Sequence, residues 1–126
     1  MLTNLSSEML LFLLKDFIGT EHYYKHPVKT DLLITDGVKF FFEQTDSFWL
    51  FNLIAEEYFQ LLSSYNFLLF NIYGSSSDDG EISRIQLTDG NGQIIAFQVI
   101  NFQKLLPKGV WNFYLTNNVL MLPSEY

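Results

Sequence analysis

Two tight-turn signals punctuate the second half of the chain and set its class. Asp89-Gly90-Asn91-Gly92 and Asn117-Asn118 are residue types that tolerate the positive φ of hairpin turns. Just before the first of them the hydrophobic pattern has a period of two. Ile85 and Leu87 alternate with Arg84 and Gln86, the pattern of a half-buried strand. Strands are expected over Phe67–Tyr73, Glu81–Thr88, Gln93–Phe102, Trp111–Thr116 and Val119–Leu122. Gly74–Gly80 reads as a polar loop rich in Ser, and Gln103–Gly109 as a loop containing Pro107 and Gly109.

The first half carries helical spacing instead. Residues 6–18 read as a helix with Ser6 or Ser7 as N-cap, Glu8 near its positive end and Gly19 at its C-terminal stop. Met9, Leu10, Leu13, Leu14 and Phe17 form one broad face, which Leu11 and Phe12 widen. So wide a face predicts a sandwiched helix or one that pairs with another chain. Residues 20–30 read as an ordered, partly extended connection, followed by a strand-like Leu32-Leu33-Ile34. Two readings compete at Thr35-Asp36-Gly37. The favoured one is a helix from Val38 capped by Thr35 or Asp36; the other is a hairpin with Val38–Phe42 as a strand. Ser47–Ser63 carries the longest helical pattern, with Asp46 or Ser47 as cap.

Helices first and strands afterwards predict an α+β fold. The expected architecture is a single domain, residues 1–126, with helices on one face of an antiparallel meander of about four or five strands. No repeat or linker interrupts it.

Composition narrows the function classes. The chain has 126 residues, no cysteine, and 17% aromatic residues. Disorder, disulfide scaffolds, thiolate metal sites and cysteine catalysis are excluded. There are 14 acids against 7 bases, and Arg84 is the only arginine. A phosphate backbone needs clustered Lys and Arg, so direct nucleic-acid binding and a polybasic membrane contact are not expected. The N-terminal apolar run, Met9–Leu14, is far shorter than the ~20 residues of a membrane span. No secretory leader pattern is seen, so the cytoplasm is the expected location.

Four segments together resemble a known family. They are Gly19-Thr20-Glu21-His22-Tyr23-Tyr24-Lys25-His26, Thr35-Asp36-Gly37-Val38-Lys39-Phe40, Phe48-Trp49-Leu50 and Leu120-Met121-Leu122-Pro123-Ser124-Glu125-Tyr126. In this order they resemble a domain-of-unknown-function family of small bacterial proteins, with members also on plasmids and phages. The resemblance spans nearly the whole chain. Members often carry small residues before the Trp-Leu pair, where this chain has Asp46, Ser47 and Phe48. The resemblance implies a cytoplasmic protein of a bacterium or mobile element. It brings no activity and no site residues.

Candidate chemistry is sparse. His22 and His26 share a helical i, i+4 spacing beside Glu21, but Pro27 follows at once, and no His-Glu-x-x-His motif is present. They read as structural or surface histidines, and neither metal nor cofactor is expected. Asp36 beside Gly37 reads as a cap or turn residue. An enzyme centred on His22, His26 and Asp36 remains the rival reading. Glu56 and Glu57 point about 100° apart on a helix and form no acid–base pair. Asp78, Asp79 and Glu81 form an acidic loop without the twelve-residue EF-hand spacing. No phosphate-binding loop, dinucleotide fingerprint or nucleophile elbow is present.

The leading expectation is a non-enzymatic, acidic inhibitor or decoy from a mobile element. Its partner would be a basic protein such as a CRISPR effector or another nuclease, held through complementary potential. The candidate contact residues are Asp78, Asp79, Glu81, Glu56 and Glu57, with Tyr23 and Tyr24 as aromatic anchors. The third reading is a homodimer or larger homo-oligomer formed through the apolar face of residues 9–18.

Overall fold

The computed structural model describes residues 6–74, 83–100 and 106–126. The helices follow from their caps. Helix α1, Ser7–Leu14, starts where the Ser6 hydroxyl accepts the Met9 N–H. It ends well before Gly19, because Lys15, Asp16 and Phe17 make only tighter, three-residue turns. Helix α2, Asp36–Thr45, begins at the Thr35 cap, whose Oγ1 accepts the Val38 N–H. This settles Thr35-Asp36-Gly37 as a helix start rather than a hairpin. Asp46, with φ 52°, closes α2 in the left-handed conformation. Helix α3, Phe48–Glu57, follows, and a 3₁₀ turn, Phe59–Ser63, continues it. The expected single helix over 47–63 is therefore two pieces.

The sheet is larger than the sequence suggested. Seven strands are formed by the described residues: β1 (Tyr24–Lys25), β2 (Leu33–Ile34), β3 (Phe67–Gly74), β4 (Arg84–Thr88), β5 (Ile94–Val99), β6 (Gly109–Thr116) and β7 (Val119–Met121). Their order is β1-β2-β7-β6-β3-β4-β5. The expected four or five strands become seven because β1 and β2 join the β7 edge. The five C-terminal strands are antiparallel but not the expected meander, since β6 pairs with β3 and not with β5. The sheet is mixed: β2 runs parallel to β7, and all other pairs are antiparallel. The strand-like run Leu32–Ile34 does supply β2, whereas the two residues of β1 carry too little pattern to announce a strand.

The turn signals work as expected. Asn117 and Asn118 take φ values of 52° and 65° between β6 and β7. Between β4 and β5 the Asp89 carboxylate accepts the N–H groups of Asn91 and Gln93. A register shift at Leu87/Thr88 adds one residue to β5.

Alternation buries one sheet face. Leu68, Phe70 and Ile72 of β3, Ile85 and Leu87 of β4, and Trp111, Phe113 and Leu115 of β6 point into the core. They meet Val38, Phe41 and Phe42 of α2 and Leu50, Phe51 and Ile54 of α3. The Phe41 ring lies 5.3 Å from Trp111 and 5.1 Å from Phe113. The Trp111 indole N–H donates to the Pro107 carbonyl at 2.8 Å, so the largest core ring leaves no orphan donor. The helices thus cover one face, as expected for this α+β class. The other face keeps Phe97, Val99 and Val110 exposed.

Candidate functional site

Three of the four segments that carry the family resemblance converge on the N-terminus of α2. The Asp36 N–H donates to Thr20 Oγ1 at 2.8 Å. The Asp36 carboxylate accepts the Glu21 N–H and the Tyr24 hydroxyl, each at 2.9 Å. From the chain's other end, the Glu125 carboxylate accepts the Thr35 hydroxyl at 2.5 Å, the Gly37 N–H at 3.1 Å and the Leu122 N–H at 3.0 Å. Two carboxylates therefore serve the positive end of one helix, where free N–H groups and the dipole favour negative charge. Gly37 leaves room for this clasp: a Cβ there would lie 2.5 Å from Leu122 Cδ1 and 2.8 Å from Glu125 Oε1.

The electrostatics follow from these bonds. The Glu21 N–H, and then the Tyr24 hydroxyl, hold the Asp36 carboxyl below its usual range. Donating to that carboxylate raises the Tyr24 phenol above its usual value. Asp36 is thus an ionised clamp.

The fourth segment is reached through His26. This imidazole is only 3% exposed. Its Nδ1 accepts the N–H groups of Val28 and Lys29 at 3.1 and 3.0 Å. An acceptor Nδ1 places the ring proton on Nε2, which donates to Asn52 Oδ1 at 2.8 Å. The ring edge also packs on Phe51 at 4.8 Å. His22 instead faces solvent, with Nδ1 3.9 Å from Asp36 Oδ1. The structure therefore separates the two histidines by environment. His26 braces the connection before β2 against α3, and only His22 approaches Asp36. Among the described residues no cluster of three or more His, Cys, Asp or Glu could hold a metal ion.

The candidate contact residues divide in the same way. Tyr24 is engaged by Asp36, and the Lys39 ammonium lies 5.0 Å from its ring centre. Tyr23 is exposed. Asp78, Asp79 and Glu81 lie outside the described residues. Glu56 and Glu57 are exposed, and both border a cavity of about 410 Å³ between α3 and β5. Trp49, Leu53, Gln98 and Val99 complete most of its wall. The 100° between adjacent helical positions is narrow enough for both carboxylates to reach one cavity mouth. Neither has an ion-pair partner among the described residues. The Tyr58 hydroxyl donates to Gln98 Oε1 and fastens this wall to α3.

Glu125, Gln98 and Val99 were not among the candidate site residues of the sequence. Glu125 had a signal, since Pro123 followed by Glu125 is a short capping pattern. Gln98 and Val99 had none, because nothing local in β5 says that it lies beside α3.

Fold and site together define an α+β protein with a clasped helix start and an acidic, aromatic cavity at one sheet edge. Residues 9–126 match the model of a family of unknown function, DUF6876, and the chain belongs to that family. No curated protein and no solved structure matches it.

Proposed function

We propose that this chain is a non-enzymatic binding protein that captures a basic protein partner at the cavity between α3 and β5. One observation carries the reading: Glu56 and Glu57, without an ion-pair partner among the described residues, border a single cavity beside Trp49. Carboxylates next to an aromatic wall suit a Lys or Arg side chain, by charge and by cation–π contact. The net charge of −7 extends the attraction over the surface and speeds encounter with a positive partner. Nucleic-acid-handling proteins carry such positive surfaces. An inhibitor of a defence complex such as a CRISPR effector, encoded on a phage or plasmid and acting in the bacterial cytoplasm, is the specific form of this reading.

The rival enzyme at His22, His26 and Asp36 draws little support. His26 spends both ring nitrogens on structural hydrogen bonds, and Asp36 accepts two. Self-association has a specific observation behind it: Met9, Leu11 and Phe12 of α1 are exposed. Light scattering over a concentration series decides it, and a strict monomer removes it.

The binding test uses the immobilised protein against purified CRISPR effectors and other bacterial nucleases. A partner should bind and weaken steeply as salt rises from about 0.05 to about 0.5 M. The charge reversal Glu56→Lys with Glu57→Lys should abolish capture. Undiminished binding by that variant sinks the proposal.

A further inference from the structure

We infer that the partner supplies an extended segment, alternating basic and apolar residues, which adds to the open edge of β5 as an eighth strand. This deepens the basic-partner reading and rests on it. Strand β5 is the last in the sheet order and pairs only with β4 among the described residues. Exposed edges are normally blunted by charge, proline or brevity. Ile94–Val99 spans six residues and has neither charge nor proline.

The ladder fixes which groups are on offer. The Ile100 N–H donates to the Ser83 carbonyl at 2.7 Å, so Ile100 faces β4. Antiparallel pairing alternates, so Gln98 and Ala96 also turn their backbone groups to β4. The N–H and C=O groups of Phe97 and Val99 therefore point to the open edge.

The two sides of this edge differ. On the open sheet face, the side chains of Ile94, Phe97 and Val99 are 60%, 58% and 54% exposed. On the helix side, Gln98 lies beside the cavity that Glu56 and Glu57 border. Successive side chains of an added strand alternate between these sides. Apolar residues would cover Phe97 and Val99, and the intervening Lys or Arg residues would reach Glu56 and Glu57. Backbone bonds supply affinity and the alternating side chains supply selection, as in other strand-addition complexes. Charge chooses this occupant over a second copy of the chain, which would bring another net −7 to the same edge.

The test adds an eight-residue peptide of alternating Lys and Val to the isotope-labelled protein, with an alternating Glu and Val peptide as control. Amide hydrogen exchange is read residue by residue. The Lys peptide should slow exchange at Phe97 and Val99, and the Glu peptide should not. Val99→Pro removes one outward donor without touching the β4 ladder, and should weaken the Lys peptide roughly tenfold, a loss of about one good hydrogen bond. Binding that vanishes in Glu56→Gln with Glu57→Gln, yet never protects Phe97 or Val99, overturns strand addition and leaves the acidic cavity standing. Absence of binding by the Lys peptide overturns strand addition as well. Protection of Phe97 and Val99 in the protein alone, with a dimer by sedimentation velocity, replaces the partner segment with a second copy.

Discussion

Replacing Gly37 by Ala gives the sharpest test of the clasp at α2. Helix propensity alone makes the change favourable by about 1 kcal/mol. The structure predicts the opposite sign. The new methyl would lie 2.5 Å from Leu122 Cδ1 and 2.8 Å from Glu125 Oε1, both closer than van der Waals contact. Leu122 is buried, and Glu125 is held by three hydrogen bonds. Overpacking of this kind costs about 1–3 kcal/mol. Displacing the carboxylate strips partners from the buried Thr35 and the Gly37 N–H, each worth about 1 kcal/mol or more. The net expectation is a loss of about 2–3 kcal/mol, or roughly 10 °C in Tm for a domain of this size. Urea and thermal unfolding followed by circular dichroism read it directly. The double-mutant cycle with Glu125→Ala should show coupling of at least about 1 kcal/mol, because the two residues share one space. An unchanged or raised stability in Gly37→Ala would refute the clasp as described.

Other expectations follow from the same network. Asp36 has a folded pKa below its ordinary value of 3.8, so its bonds stabilise the fold above about pH 4 and are lost as pH falls through the depressed folded value. Asp36→Asn should flatten the acid limb of the stability curve, measured by urea midpoints from about pH 7 down to about pH 3; an unaltered limb contradicts this. Tyr24 behaves oppositely: its raised pKa preserves stability below its ordinary value of 10.0, and this is lost as pH rises through the folded value, so Tyr24→Phe should remove that alkaline loss. His26→Ala should destabilise by about 2–4 kcal/mol, since it opens a cavity and leaves Asn52 and two backbone N–H groups without their partner. His22→Ala should stay within about 0.5 kcal/mol of the parent chain, as exposed positions do; equal effects at both histidines would contradict their assigned roles.

The sequence by itself determined the elements whose signals are local. Asn117-Asn118 and Asp89-Gly90 marked hairpins, alternation marked β4, and an apolar-rich run marked β3. Thr35 with Asp36 favoured a helix start over a hairpin, and the Thr35 cap decided it. It also placed the chain in its family, because four separated segments occur together in order. What it could not determine depends on groups far apart in the chain. Leu33–Ile34 falls in the strand-like run Leu32–Ile34, but its parallel pairing with β7, and the pairing of Tyr24–Lys25 with it, depend on partners that local sequence does not name. Gly37 and Glu125 meet across 88 positions, so the reason for the glycine is a space that exists only after folding. Tertiary packing gives the acids separate tasks. Asp36 and Glu125 are used up in holding a helix end. Glu56 and Glu57 are left at a cavity mouth beside the uncharged edge of β5, because folding laid α3 against that edge.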